Sequence, residues 1–308
     1  MKKRESSFIN NFKKTYSIEE ISNYINVVKD LNILVIGETI IDEYQYGQTL
    51  GKAGKYPIIA FQNEKLERYD GGILAIYNHL NDFCKVEYYT EDIAIVKKRY
   101  IENGQKLFET YSKKESDIEC FVTDNFYKGF KDYDLVIVAD FGHGMFTKEL
   151  RQGIQNNANY IALNTQCNAG NMGLNTINKY SRWNYISIDE HELRLATSNQ
   201  FDCIEEILLN RFTEGIVTIT KGEKGCTVFN NGEIKNIPFL KTPEKVIDSI
   251  GAGDALFSIS SLIAYQNAPP EVIGFIGNLA GNIACSYPGN KYHVTKNRLL
   301  NNIKGIYD

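Results

Sequence analysis

Two uninterrupted apolar runs constrain the fold of this 308-residue chain more than any other feature of its sequence. They occupy residues 33–36 and 135–139, where they read ILVI and LVIVA. A strand that is apolar without alternation is buried on both faces, which is typical of a parallel sheet covered by helices. Such strands alternate with helical segments after residue 130. The sequence therefore predicts an α/β fold with a central, mostly parallel sheet flanked by helices.

Composition restricts the class of protein. A hydrophobic content of 43% and a charged content of 23% are typical of a globular chain, and a net charge of −4 argues against a nucleic-acid-binding surface. No apolar run is long enough to span a bilayer, and no signal-peptide core follows the basic N-terminus. The six cysteines are scattered singly, which favours reduced thiols and a cytoplasmic location. They are Cys84, Cys120, Cys167, Cys203, Cys226 and Cys285.

The chain contains no internal repeat, linker or low-complexity tract. We therefore predict one domain over residues 1–308. Residues 1–30 are polar, with apolar side chains at helical spacing, and are expected to form an N-terminal helical arm. Residues 93–111 alternate around Asn103-Gly104, which is a strong signal for a β-hairpin.

The stretch DSIGAGDALFS at residues 248–258 carries the strongest chemical signal. Its glycines precede an apolar helical run, so the backbone N–H groups of Gly251, Ala252 and Gly253 can converge with the positive end of a helix. Such a turn suits a phosphoryl group in transit. Asp254 at its mouth is expected to stay ionised and to accept the proton of an attacking hydroxyl. The alternative is an ordinary glycine turn capped by aspartate.

Further charged residues fall where a ligand would be bound. Asp42 and Asp140 follow buried strands, and open α/β sheets bind ligands at the carboxyl ends of their strands. Lys97 and Arg99 lie on alternate residues of a predicted strand, share one face and could contact a phosphate. Each also has a simpler interpretation, as a turn or cap residue or as part of a solvated face.

Asp189 and Glu192 form another carboxylate pair. They are three residues apart at the start of a predicted helix, so they share one helical face and could hold a hydrated Mg²⁺. Asp at the N-cap with Glu three residues later is equally a capping pattern. The sequence leaves both interpretations open.

The pattern Asp-x-x-Gly-Ala-Gly-Asp at 248–254 resembles the C-terminal motif of the ribokinase-like (PfkB) carbohydrate kinases. Residues 31–75 and 93–111 resemble the bacterial heptose-phosphate kinase branch. The resemblance implies ATP and Mg²⁺ as cofactors, Asp254 as catalytic base, and the backbone of residues 251–253 as an anion hole. It also implies a small β-sheet lid built from strands at about 43–62 and 93–112.

The same resemblance assigns roles to individual residues. Asp42 would hold substrate hydroxyls, and the backbone of Gly71 and Gly72 would approach the sugar. The family usually has an asparagine where this chain has Ala75, and Asn78 could substitute for it. Glu192 would help to order Mg²⁺. The predicted nucleotide site consists of Thr220, Lys221, Gly222, Gly225, Asn278 and Gly281.

The sequence therefore favours an ATP-dependent kinase of a sugar or sugar phosphate. Ala75, Asn164 and Asp189 depart from the family pattern, so one alternative is a sugar- or nucleotide-binding module of the same fold that has lost catalysis. Another is a kinase of a different small alcohol. The expected partners are a small-molecule substrate, a second copy of the chain bound through the lid, and a nucleotidyltransferase of the same pathway, with no nucleic acid or membrane.

Overall fold

A computed structural model describes residues 2–115, 129–242 and 245–308. Its strands are β1 Asn32–Gly37, β2 Thr39–Lys52, β3 Ile59–Gly72, β4 Lys85–Tyr89, β5 Ile93–Glu102, β6 Gln105–Glu115, β7 Leu135–Asp140, β8 Ile161–Thr165, β9 Tyr185–Asp189, β10 Ile216–Thr220, β11 Cys226–Asn230 and β12 Glu233–Ile237. The α-helices in these ranges are α1 Lys2–Thr15, α2 Ile18–Asn26, α3 Ile73–Leu80, α4 Lys148–Asn157, α5 Glu190–Thr197, α6 Ile204–Arg211, α7 Ala252–Tyr265, α8 Pro270–Ala284 and α9 Lys296–Tyr307.

The main sheet has eight strands in the order β12-β11-β10-β9-β8-β7-β1-β4. Pairing is parallel from β10 to β4, with Ile216 opposite Tyr185 and Ile33 opposite Leu135. Strands β11 and β12 add an antiparallel edge, in which β10 and β11 form a hairpin. The predicted mostly parallel α/β sheet is thus confirmed.

Helices cover both faces of this sheet. Alternate residues of β1 point to opposite sides, so Ile33 and Val35 join one buried cluster and Leu34 and Ile36 join the other. The first cluster includes side chains of α2, α3, α7, α8 and α9, and the second includes side chains of α4, α5 and α6. Burial on both faces explains why the strands read as continuous apolar runs.

A second, four-stranded sheet has the order β3-β2-β5-β6, and we refer to these four strands as the lid. Strand β2 pairs antiparallel with β3 and parallel with β5, and β5–β6 form the expected hairpin. Asn103 and Gly104 have φ values of 49° and 79°, as the tight turn requires. The lid strands extend beyond the predicted ranges, from Thr39 to Gly72 and from Ile93 to Glu115.

The N-terminal arm consists of α1 and α2. Ser17 caps α2 through a reciprocal capping box with Glu20. Phe12 is buried and stacks on Phe275 of α8, with the ring centroids 4.2 Å apart. The arm therefore contributes to the same core as the helices of the main sheet.

Only Glu38 separates strand β1 of the main sheet from strand β2 of the lid. Its buried carboxylate accepts hydrogen bonds from the backbone N–H groups of Phe141, at 2.8 Å, and His143, at 3.0 Å. Burial, together with the neighbouring charge of Asp140, raises the pKa of Glu38 to about 7. The connection between the two sheets is therefore tied to the loop that follows β7.

Two features bear on the expected environment of the protein. Across the three described ranges, no helix combines the length and the apolar character that crossing a membrane requires. Cys84, Cys167, Cys203, Cys226 and Cys285 are free thiols, as their single spacing predicted, and Cys120 lies outside the described residues.

Candidate active site

Two adjoining cavities open at the carboxyl ends of the parallel strands. The smaller, of about 250 Å³, lies beneath the lid and is lined by Phe141 after β7 and Gln166 after β8. The larger, of about 720 Å³, is lined by Asp189 at the end of β9 and Thr220 at the end of β10. Ser249 and Gly253 line both cavities. A third cavity, of about 830 Å³, lies at the amino ends of the parallel strands and is lined by none of the predicted site residues.

The glycine turn forms the wall between the two adjoining cavities. Gly251 has φ of 81° and caps α7, and a Cβ there would collide with the side chain of Asn290. Among the described residues, the N–H groups of Gly251, Gly253 and Asp254 have no hydrogen-bond acceptor, so they are available to an anion. The N–H of Ala252 is different, because it donates to the carbonyl of Ser249 at 3.3 Å. The expectation that Ala252 supplies a free donor is therefore wrong in this state.

Asp254 lies on the first turn of α7 and lines the smaller cavity. Burial and the nearby charge of Asp42 raise its pKa to about 7, while the ammonium of Lys97 acts in the opposite direction. This differs from the expectation that Asp254 is simply held ionised, because desolvation outweighs the attraction of the Lys97 ammonium. A carboxylate with a pKa near neutrality is well matched to general-base catalysis.

The lid supplies three charged side chains to the smaller cavity, Asp42, Lys97 and Arg99. Arg99 is ion-paired with Asp42 and also with Glu109, at 3.3 Å. Lys97 is only 6% exposed, and within the described part of the chain its ammonium has no hydrogen bond or ion pair. It lies 5.7 Å from the ring of Tyr111, and burial lowers its pKa. Lys97 is thus a buried cation that is available to a bound anion.

The double glycine allows the end of β3 to approach β2 closely. A Cβ on Gly71 would lie 2.5 Å from a carboxylate oxygen of Asp42, so this position needs a glycine. Gly72 has φ of 57° and lines the smaller cavity, whereas Gly71 does not. Asn78 on α3 is not among the lining residues of this cavity either, and Ala75 is buried in the core. The structure therefore does not bring Asn78 to the site.

Asp140 is also absent from the lining of the cavity. It is completely buried and accepts hydrogen bonds from Tyr180, at 2.6 Å, and from Asn175 and Gly142, at 3.1 Å each. The ammonium of Lys179 completes its environment at 2.5 Å. Its neighbours thus hold the carboxylate inside the loop after β7. The prediction that Asp140 binds substrate is therefore wrong.

The larger cavity brings together most of the predicted nucleotide site. Its lining includes Thr220, Gly222, Gly225, Asn278 and Gly281. The amide of Asn278 is already engaged, because it donates to the carbonyl of Pro238 at 2.9 Å.

Lys221 is the exception in this set and does not line the cavity. Its ammonium donates to Thr227, at 2.7 Å, and to Asn236, at 2.9 Å. Both acceptors lie on the antiparallel edge of the main sheet, so this side chain turns away from the predicted phosphate position.

Asp189 and Glu192 form a capping box at the start of α5. One oxygen of Asp189 accepts from the N–H of Glu192 at 2.7 Å, and Glu192 accepts from the N–H groups of Asp189 and Cys167, both at 2.9 Å. Burial, and next the charge of Asp189, raise the pKa of Glu192 to about 7. The capping box is thus formed, and the assignment of Mg²⁺ to this pair stays a prediction. Within the described residues, no group of three or more metal-ligating side chains is present.

Several residues of the site had no clear signal in the sequence. Gln166 and Asn290 line the smaller cavity, and Asp248 connects the glycine turn to Tyr44 and Lys106 of the lid. Asp248 opens the motif at 248–254, so its position was a usable signal. The other four carried no signal of their own, although Tyr44 and Lys106 lie in the segments 31–75 and 93–111 that carry the resemblance.

Comparison with known proteins identifies the family. Residues 129–297 match the model of the pfkB family carbohydrate kinases. The chain belongs to this family.

Similar pfkB-family relatives include two bifunctional HldE proteins. The HldE of Syntrophotalea carbinolica is 22% identical over 326 residues, covering 87% of this chain, and that of Nitratiruptor sp. is 21% identical over 296 residues, covering 83%. In both cases the chain spans 62% of the relative's length.

Solved structures with the same fold include ribokinases and a nucleoside kinase. Ribokinase from Thermotoga maritima and ribokinase from Arabidopsis thaliana complexed with ribose and ATP each have a TM-score of 0.66 and 14% identity, over 89% of this chain and 99% of theirs. The nucleoside kinase of Burkholderia thailandensis in complex with inosine has a TM-score of 0.61 and 16% identity, over 89% and 98%. At these identities the likeness establishes the ribokinase-like fold.

Proposed function

We propose that this pfkB-family protein transfers the terminal phosphoryl group of ATP to a hydroxyl of a sugar or sugar phosphate. One observation carries the proposal: Asp254 and the free N–H groups of Gly251 and Gly253 lie where the two cavities meet. A donor in the larger cavity and an acceptor in the smaller one would there face each other across the glycine turn.

The residues around this turn can support each part of the transfer. Asp254 accepts the proton of the acceptor hydroxyl as its oxygen bonds to phosphorus, while the bond from phosphorus to the leaving diphosphate breaks. The free N–H groups stabilise the negative charge on the phosphoryl oxygens. Phosphoryl transfer depends mainly on positioning and charge, so a base with a pKa near 7 is sufficient.

Lys97 supports an anionic acceptor, such as a sugar phosphate. Burying an unpaired ammonium is costly, and a phosphate in the smaller cavity would remove that cost. Arg99 is already engaged with Asp42 and Glu109, so it contributes mainly by orienting the carboxylate of Asp42. Asp42 can then accept a hydrogen bond from a sugar hydroxyl.

Mg²⁺ would be held between the nucleotide phosphates and Asp189. The second carboxylate oxygen of Asp189 accepts no hydrogen bond from the described residues, and this residue lines the larger cavity. Both oxygens of Glu192 accept backbone N–H groups, so Glu192 fits a supporting role rather than direct ligation. Mg²⁺ commonly takes one or two carboxylates plus phosphates and water, which agrees with so few ligands. When bound, the ion would neutralise phosphate charge.

The test is Asp254→Asn, assayed for ATP consumption over a panel of hexose and heptose phosphates. We expect turnover to fall by about 1,000-fold, in line with loss of a base whose proton transfer contributes up to about 10⁴-fold. ADP binding, measured by calorimetry, should change by less than about twofold, because the larger cavity is intact. The matched control is Asp70→Asn, an exposed aspartate on β3. Normal turnover by Asp254→Asn would contradict the proposal.

The two alternative functions are separated by the same panel. A binding module would bind ligands without consuming ATP. A kinase of another small alcohol would be active on nucleosides but not on phosphosugars. Asn164, one of the departures from the family pattern, donates to the carbonyl of Ser187 at 2.7 Å, so its side chain is engaged within the sheet.

The expected assembly partners remain predictions. The lid carries exposed apolar side chains, which would favour a second copy of the chain. They are Leu50, Ile59, Leu66, Leu107 and Phe108 on the lid strands, with Tyr56 and Ile58 in the connection between β2 and β3. A nucleotidyltransferase partner is supported only by the naming of the HldE relatives as bifunctional proteins.

A further inference from the structure

The carboxylate of Asp248 joins four separate segments around the site. One oxygen accepts from the hydroxyl of Tyr44, at 2.6 Å, and from the N–H of Gly289, at 3.1 Å. The other accepts from the ammonium of Lys106, at 2.8 Å, and from the N–H of Ile250, at 3.2 Å. We call this group the Asp248 junction.

The members of the Asp248 junction come from both sides of the site. Tyr44 lies on β2 and Lys106 on β6, so both belong to the lid that carries Asp42, Lys97 and Arg99. Ile250 immediately precedes Gly251, and Gly289 immediately precedes Asn290, whose side chain contacts the turn at Gly251. The junction therefore connects the acceptor side of the site to the turn with the free N–H groups.

The environment makes this connection strong. Asp248 and Tyr44 are both buried, and charge-assisted hydrogen bonds are stronger than neutral ones when water is excluded. Gly289 has φ of 53°, and its N–H reaches Asp248 beside the ring of Tyr69. Removing Tyr44 or Lys106 would leave part of a buried charge without its partner.

We propose that Asp248 is a positioning residue that fixes the glycine turn to the lid, so that the free N–H groups are correctly placed only when the lid is seated. The expected effect of Asp248 on turnover rests on the proposed kinase function. The junction contains no group that reacts with substrate. Its effect on transfer is exerted through the geometry of Gly251, Gly253 and Asp254.

The first experiment measures how strongly the Asp248 junction protects its two backbone amides, without any substrate. Hydrogen exchange of the Ile250 and Gly289 amides is compared in the wild-type protein, Lys106→Met and Tyr44→Phe. We expect exchange of both amides to accelerate about tenfold in each variant, because local opening there becomes easier. The matched control is Lys114→Met, which changes an exposed lysine on the same strand, β6.

The second experiment tests whether the effects pass through Asp248. In the kinase assay, Lys106→Met and Tyr44→Phe should each lower kcat by about tenfold while ADP affinity stays within about twofold, because positioning is lost but the larger cavity is intact. Lys106→Arg should restore most of kcat. In an Asp248→Asn background, Lys106→Met should cause no further loss, since coupled residues are not additive.

The outcomes separate this proposal from the proposed function. Unchanged exchange in Lys106→Met and Tyr44→Phe, or a full additional loss in the Asp248→Asn background, would overturn the positioning role. If the wild-type protein transferred no phosphoryl group but the two amides still responded to Lys106 and Tyr44, the kinase proposal would fail and the junction would stand.

Discussion

The two adjoining cavities are built by different means. The larger one is walled by strand ends and helices of the main sheet, and the amides of Asn278 and Asn282 in its wall are bonded to backbone carbonyls. The smaller one takes three of its four charged side chains from the lid, Asp42, Lys97 and Arg99. The charged residues of the larger cavity, Asp189, Glu223 and Lys241, are exposed, whereas Asp42 and Lys97 in the smaller one are buried and can discriminate between acceptors.

This difference separates the part of the site that depends on backbone geometry from the part that depends on individual side chains. A site made of glycines and strand ends tolerates many side-chain changes, while a site made of lid side chains changes with each substitution. We therefore expect variants of the turn to affect transfer itself, and variants of the lid side chains that line the smaller cavity to affect chiefly the acceptor.

The largest effect in this comparison should come from Gly253→Ala. A Cβ at Gly253 would meet no protein atom within 4 Å, so the variant should fold normally. Its methyl group would, however, lie where the two cavities meet. We expect kcat to fall by roughly 100-fold, comparable to the loss of an oxyanion donor. Gly305→Ala on α9, which also has open space, is the control. An unimpaired Gly253→Ala enzyme would show that the turn does not face the reaction.

Lys97→Met tests how much a lid side chain contributes to acceptor binding. Removing the free ammonium should raise KM for a phosphorylated acceptor by about 10- to 100-fold, which corresponds to the free energy of one charge-assisted hydrogen bond. KM for an unphosphorylated acceptor should not change. ADP affinity should not change. Lys98→Met is the control, because Lys98 pairs with Glu43 at 3.0 Å and does not line the cavity. Equal losses for phosphorylated and unphosphorylated acceptors would argue against a phosphate contact.

The pH dependence of transfer should report Asp254. Because the base must be ionised and its pKa is raised to about 7, kcat/KM should rise about tenfold per unit below pH 7 and level off above it. Lys97 opposes this rise in pKa, so Lys97→Met should move the midpoint to higher pH. Asp42→Asn should move it to lower pH. A profile that is flat from pH 5 to pH 8 would exclude Asp254 as the titrating base.

The smallest effect should be on stability. The folded-state pKa of Asp254 lies above the usual aspartate value of 3.8, so folding is increasingly penalised as pH rises between about 4 and 7, and fully penalised above 7. Asp254→Asn removes this penalty and should raise Tm by a few degrees at pH 8, but not near pH 4. Asp70→Asn should change Tm at neither pH. A lower Tm for Asp254→Asn at pH 8 would contradict the raised pKa.

Much of the fold was predictable, because burial on both faces leaves a continuous apolar pattern in each central strand. The position of Asp254 on the first turn of α7, next to free N–H groups, was predictable because glycine permits the left-handed backbone from which this helix starts. Asp140 and Lys221 were misjudged for a common reason. A strand end places a residue at the ligand edge, but its side chain follows its partners, here Tyr180 for Asp140 and Thr227 for Lys221.

Long-range pairs explain the remaining gaps. Asp248 meets Tyr44 across 204 residues of sequence and Lys106 across 142, and no local pattern encodes such a contact. Asn78 was proposed to replace an absent asparagine one turn earlier, yet it does not reach the cavity. Its position one turn further along α3 was no guide to which way the side chain would face.

The single residue between β1 and β2 has a mechanical consequence. A lid attached by a long loop could swing freely, but this one continues almost directly from β1 through Glu38, which is hydrogen-bonded to the loop after β7. Any tilt of the lid must therefore be transmitted into β1 and the neighbouring strand β7 of the main sheet. The lid would then move as a rigid body that pivots beside the site. A small displacement of its outer strands would move Asp42 and Lys97 by only a fraction of that distance.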